Sequence, residues 1–250
     1  MNFALAIVIL PPALALGSFL NVVAARLPEG RSLLTPPSSC GACGVRIAWR
    51  DNIPVLSYLL LRGRCRSCGH RIGLRYLAVE LATALLIVAC FLRFGFTAEA
   101  FVASYFVSAL VVLSAIDFER RILPDKIVLP STAIVLTAQI VLHPDQAPEW
   151  ILGALGAALF LFAALLAYPK GMGMGDVKLA LLLGAMLGKL VIVALMVGML
   201  SALVPAVYLL ARHGSAARKM GIPFGPFLAF GAVVALFWGD AILTAYLNGF

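Results

Sequence analysis

Two aspartates and four cysteines carry the chemistry this chain could perform. Asp117 lies in S-A-I-D-F-E-R-R-I-L-P-D and Asp176 in G-M-G-M-G-D-V-K-L, each where an apolar run meets a short polar loop. A carboxylate at a membrane edge is costly enough to need a reason, and two that converge could divide acid and base roles on a membrane-bound substrate. Two aspartates sharing a proton can do the work of a protease. The cysteines fall in C-G-A-C-G (Cys40, Cys43) and C-R-S-C-G (Cys65, Cys68), with 21 residues between the pairs. That spacing lets each pair chelate one tetrahedral ion through a tight turn, with Gly44 and Gly69 relieving the turns where amides approach sulfur. Four thiolates close the coordination sphere and leave no place for a catalytic water, so zinc here is expected to be structural. A reducing cytoplasm argues against the alternative of two disulfides.

The elements that must position these groups follow from composition. With 63% hydrophobic and 12% charged residues and a mean hydropathy of +1.05, lipid must be the main solvent. The expected fold is an all-α polytopic membrane protein of about eight transmembrane helices. Apolar runs lie at about 3–25, 76–94, 98–116, 127–142, 149–168, 177–189, 190–211 and 223–248. The join near Gly188 and Lys189 is the weakest boundary, leaving six or seven spans as the alternative. Residues 26–75 shift to Pro, Ser, Gly and Arg, a small cytoplasmic zinc-knuckle module between spans 1 and 2. The organisation expected is therefore a first span (1–25), this module (26–75) and a membrane domain bearing both aspartates (76–250).

Charge sets orientation. If the N-terminus is outside, seventeen of the 19 Lys and Arg residues face the cytoplasm, Lys170, Arg218 and Lys219 among them, and only Arg93 and Lys189 lie outside. The positive-inside rule then places the module and both aspartate loops on the cytoplasmic side. The net charge of +8 is thus mostly topological; no groove-reading element supports a nucleic-acid partner, and anionic lipid headgroups suffice. The first span lacks a basic segment before it and is expected to be retained as an anchor.

Plainer roles compete for several residues. Asp176 could cap its helix, and Asp117 could pair with Arg120 or Arg121. Asp125 rivals Asp117 but follows Pro124 and directly precedes an apolar run, which suits an N-cap. Asp51, Asp145 and Asp240 lie in loops or far ends, His143 and His213 at span ends, His70 in a loop, and Cys90 within an apolar span where it packs. The two favoured aspartates have opposed electrostatic settings: Asp117 ends a helix, at the negative end of its dipole, whereas Asp176 begins one, at the positive end, with Gly171, Gly173 and Gly175 allowing close approach.

Six ordered blocks resemble the type IV prepilin peptidases, or leader peptidase/N-methyltransferases. They are G-S-F-L-N-V-V-A-A-R-L-P (Gly17 to Pro28), the CxxC pairs flanking Asn52 to Cys65, R-Y-L-A-V-E-L (Arg75 to Leu81), the two aspartate motifs, and I-P-F-G-P-F-L-A-F-G (Ile222 to Gly231). The resemblance implies an intramembrane aspartyl protease of the GxGD type with Asp117 and Asp176 as the catalytic pair. It also implies prepilin or pseudopilin substrates of type IV pili and type II secretion. They would be cut after a Gly at the cytoplasmic face of the inner membrane. The new N-terminal residue would then be methylated with S-adenosylmethionine. Relatives without the cysteine pairs are thought to be peptidase-only, and all four cysteines are present here. Leu77 stands where the family pattern has Pro. The residues assign no S-adenosylmethionine site, since no strand–Gly–helix unit is visible, with Glu80 the one candidate. Glu29, Asp51, Glu80 and Glu119 are the acidic residues available to a basic leader. The competing classes are a membrane transporter, which would place its carboxylates mid-membrane, and a zinc-module scaffold of a secretion apparatus.

Overall fold

The computed structural model describes residues 2–169, 172–214 and 221–249. Lys170, Gly171, Arg218 and Lys219, which entered the reading above, lie outside them. The described residues form nine α-helices: α1 (Asn2–Arg26), α2 (Leu56–Leu60), α3 (Leu74–Phe94), α4 (Ala98–Arg120), α5 (Asp125–Leu142), α6 (Ala147–Ala167), α7 (Met174–Leu187), α8 (Val191–His213) and α9 (Gly225–Asn248). In lipid every backbone amide must be satisfied within its own segment, which is why each long apolar run is helical.

Among the described residues, seven candidate spans are long and apolar enough to cross a membrane. The expected sixth and seventh runs belong to one apolar stretch, Met174–Arg212, broken by a 3-10 turn at Gly188–Leu190. Gly188 takes a left-handed φ of 52° there, which only glycine adopts without strain. The 14 residues of α7 extend roughly 21 Å, short of the roughly 30 Å hydrocarbon core. The eight apolar runs therefore become eight apolar helices, of which α7 is not a full span by itself.

The chain divides into two compact units, Met1–Ile116 and Asp117–Phe250. In the first, α1 packs on α3. A Cβ at Gly17 would stand 2.8 Å from the Glu80 Cα, so the two backbones meet at that glycine. Asn21 donates from Nδ2 to the Tyr76 carbonyl at 3.0 Å, fixing the register one turn further along. Cys90 is buried in α3, as its apolar setting predicts.

In the second unit α6 packs on α7, α5 on α7, and α8 on α9. Gln139 of α5 donates to the Met186 carbonyl at 3.0 Å. The α6–α7 contact is close, because a Cβ on Gly184 would collide with the backbone of Gly153 and Ala154. Gly184→Ala should therefore destabilise the protein. Overpacking against backbone costs about 3 kcal/mol and better helix propensity returns about 1. The net loss should appear as a lowered thermal midpoint of the purified protein; an unchanged midpoint would mean the helices do not approach this closely.

Candidate active site and metal centre

Asp117 lies in the last turn of α4 and is 5% exposed. Its Oδ2 accepts a hydrogen bond from the Gly225 amide at 3.0 Å. Gly225 is the first residue of α9, so this N–H is one of the helix-terminal amides with no partner inside its own helix. Asp176 occupies the third position of α7 and is 9% exposed. Its Oδ2 accepts from the Gly173 amide, at the N-cap, at 3.1 Å. The capping role considered for Asp176 is thus realised, and it leaves the second oxygen free: among the described residues no other hydrogen bond reaches either carboxylate.

These contacts revise the electrostatic contrast drawn from helix ends. Asp117 does end its own helix, but it also faces the N-terminus of α9, so both carboxylates sit at the positive end of a helix dipole. The signal that could have found this is the Gly-Pro pair in I-P-F-G-P-F, a helix start with Pro226 in its first turn. Gly225 is required by the geometry, since a Cβ there would lie 2.8 Å from Asp117 Oδ2.

The two aspartates, 59 residues apart in sequence, come within electrostatic reach of each other. Leu123 bridges their supports: its side chain lies 3.0 Å from where a Gly175 Cβ would be and 3.3 Å from where a Gly225 Cβ would be. Arg121 also acts electrostatically on Asp117. Asp125 is the first residue of α5 rather than its N-cap, because Pro124 takes the extended capping conformation. Its carboxylate pairs with Lys178 at 2.8 Å, an ion pair at the loop surface. Asp145 and Asp240 are exposed, His143 lies 6.2 Å from Trp150, ring to ring, and the side chain of His213 is outside the described residues.

Gly225→Ala is predicted to push the Asp117 carboxylate off its amide. A displacement of about 1 Å can lower turnover about 100-fold. The check is peptide-bond cleavage by the variant alongside its metal content and thermal midpoint, which should both hold.

In the first unit the sulfur atoms of Cys40, Cys43, Cys65 and Cys68 lie within 4.8 Å of one another. Two matching turns bring them there. Cys40 N donates to Val45 O and Gly44 N to Cys40 O, each at 2.9 Å; Cys65 N donates to His70 O and Gly69 N to Cys65 O, also at 2.9 Å. Both glycines are left-handed, with φ of 71° and 70°. Amides of Cys43 and Ala42 point at the Cys40 sulfur and lower its thiol pKa to about 6, which favours the thiolate a metal needs. Four thiols so arranged fit a closed tetrahedral metal site. His70 contributes its backbone carbonyl and is not among the four. Beside the turns, Asp51 takes Arg66 in a two-pronged ion pair, the shorter contact 2.6 Å, and this guanidinium holds the Asp51 carboxyl below its usual range.

Residues 12–94 match the model of the bacterial peptidase A24 N-terminal domain, and residues 104–210 that of the type IV leader peptidase family. Along nearly its whole length the chain is 36% identical to the prepilin leader peptidase/N-methyltransferase of Bacillus subtilis (strain 168), over 94% of this chain and 95% of the relative. The chain belongs to the type IV leader peptidase family. Other relatives named prepilin leader peptidase/N-methyltransferase are those of Pseudomonas putida, 38% identical over 94% of this chain and 91% of the relative, and Aeromonas hydrophila, 36% over 95% and 92%. No solved structure matches. Within the family's two matched regions, the first contains the cysteine cluster and the second both aspartates, whereas Gly225 lies beyond them. As a family member with seven candidate spans among the described residues, the chain is a multi-pass inner-membrane protein.

Proposed function

We propose that this chain removes the leader peptide from type IV prepilins, and from type II secretion pseudopilins, and N-methylates the terminus it creates. The observation that carries the peptidase reading is the pair of buried carboxylates, Asp117 and Asp176, each held through one oxygen by a helix-terminal amide and each keeping the other oxygen for substrate. A transporter would place its carboxylates mid-membrane, whereas these lie in the last turn of α4 and the first of α7.

The chemistry follows from two carboxyl groups that share one proton. Asp176 as the anion takes a proton from water, and the oxygen adds to the scissile carbonyl carbon. Asp117 as the acid protonates the carbonyl oxygen, giving a neutral tetrahedral intermediate. As the C–N bond breaks, the proton gained by Asp176 passes to the departing amine, and Asp117 recovers its own from the hydroxyl. The new carboxylic acid leaves with the leader, and the new amine stays on the pilin.

The four cysteines would hold zinc in a structural site, their set of four sulfurs leaving no open position. S-adenosylmethionine supplies a methyl group to an amine in the second activity. Glu80 does not fit as its binding residue: the carboxylate is buried and accepts the Val55 amide at 2.7 Å, a bond within the fold. No step is therefore assigned to residues toward that donor. The excess of Lys and Arg supports the N-terminus outside, with the module and aspartates on the cytoplasmic side, where a basic leader meets the apolar helix that follows it.

The test is to reconstitute the purified protein with a prepilin and S-adenosylmethionine and to weigh the products. The reading predicts a chain shortened by its leader and one methyl group heavier at its new N-terminus; an uncut prepilin would overturn it.

A further inference from the structure

The short helix α2 is tied to the start of a span. Its preceding residue, Val55, donates its amide to Glu80 at 2.7 Å, and Glu80 sits in the second turn of the span α3. From the middle of α2, Tyr58 donates its hydroxyl to the Ile72 carbonyl at 3.1 Å, just before α3 begins. Gly17 of α1 packs against the same Glu80 backbone. Glu80 is six residues, about 9 Å, along α3 from Leu74, and its side chain tilts back toward the helix N-terminus. One bond to the span and one to the residue just ahead of it therefore tie α2 to the N-terminal end of α3, where headgroups give way to acyl chains.

The residues α2 presents there are apolar and uncovered. Leu56, Leu59 and Leu60 are 50, 60 and 74% exposed. In water three such leucines on a five-residue helix would be costly, at about 25 cal/mol per Å². The chain around them is strongly basic, with nine Arg and only two acidic residues between positions 26 and 75. Apolar side chains at interfacial depth surrounded by arginines are complementary to an anionic bilayer surface.

We propose that α2 is an interfacial helix whose leucines insert into the adjoining lipid leaflet, so that the zinc module is seated on anionic lipid rather than standing free in water. Glu80 is then a positioning residue: it fixes the depth of the seat through the Val55 amide. The proposal rests on membrane insertion of α1 and α3 and is independent of whether Asp117 and Asp176 cleave peptides.

The experiment uses the full chain with its three tryptophans, Trp49, Trp150 and Trp238, replaced by Phe and a single probe introduced as Leu60→Trp. A second probe, Leu59→Trp in the same background, serves if the first fails to fold, and metal retained at the four cysteines reports folding. In vesicles of phosphatidylglycerol and phosphatidylcholine with brominated acyl chains, emission should fall by about a factor of two, as expected for a ring about 5–10 Å into the boundary. Acrylamide in the water should quench it weakly. Replacing phosphatidylglycerol with phosphatidylcholine should raise the acrylamide quenching. A probe open to acrylamide and indifferent to brominated lipid would overturn the proposal. So would a probe shielded from both, since protein would then cover this face, and so would quenching unaffected by phosphatidylglycerol, since anionic lipid would then not hold the module.

Discussion

Replacing Cys40 or Cys65 with serine, or removing the metal with a chelator, is expected to unfold the module between α1 and α3. The four-sulfur cluster is nearly all the core this segment has. Among residues 26–75 only Ser57 and Gly63 are buried, and the bonds besides the two knuckles, such as Ser57 to the Arg50 carbonyl, Tyr58 to the Ile72 carbonyl, the Val55 amide to Glu80 and the Asp51–Arg66 pair, enclose no apolar core. A structural zinc supplies apparent folding energy comparable with the whole stability of a small domain. Its loss should therefore convert the segment to a protease-sensitive chain while the helices of the second unit persist. The check is metal content per chain beside limited proteolysis. A metal-free module that stays protected would show that backbone turns alone hold it. Loss of cleavage and methylation together would show that the module supports both activities rather than methyl transfer alone.

The cysteine cluster was legible because its information is local. Each C-x-x-C-G turn needs only its own five or six residues, and the two copies repeat every bond, so sequence spacing predicted geometry directly. The apolar helices were legible for a similar reason, each one satisfying its backbone within its own segment. The break at Gly188 was harder to read, because a single left-handed glycine inside an apolar stretch changes the span count without changing hydropathy. Asp125 was misplaced by one position because Pro124, fixed near the extended capping conformation, takes the cap itself. The setting of Asp117 was misread for a different reason. Its defining partner, the Gly225 amide, lies 108 residues away, and helix-end arguments see only the helix that carries the residue. Leu123, packed between the supports of both aspartates, gave no signal beyond being apolar. Residues that assemble a site across helices are invisible to periodicity, even where the groups doing the chemistry are plain.

Substituting either aspartate with asparagine is expected to abolish cleavage while sparing the fold. Asparagine has nearly the same shape, and its side-chain oxygen can still accept the Gly225 or Gly173 amide, so the supports of both positions survive. What it cannot do is exchange a proton with water or with the scissile carbonyl. Acid–base catalysis alone accounts for about 10²–10⁴-fold in rate, and each half of a shared-proton pair is useless without the other, so the two losses should be similar and not additive. Asp125→Asn, by contrast, removes only a surface ion pair with Lys178 and should cleave normally. The most direct measurement is leader removal from a reconstituted prepilin by the wild type, Asp117→Asn and Asp176→Asn in parallel, each checked for metal content and thermal midpoint. Both variants should lose cleavage with both checks unchanged; normal cleavage by either one would contradict the pair.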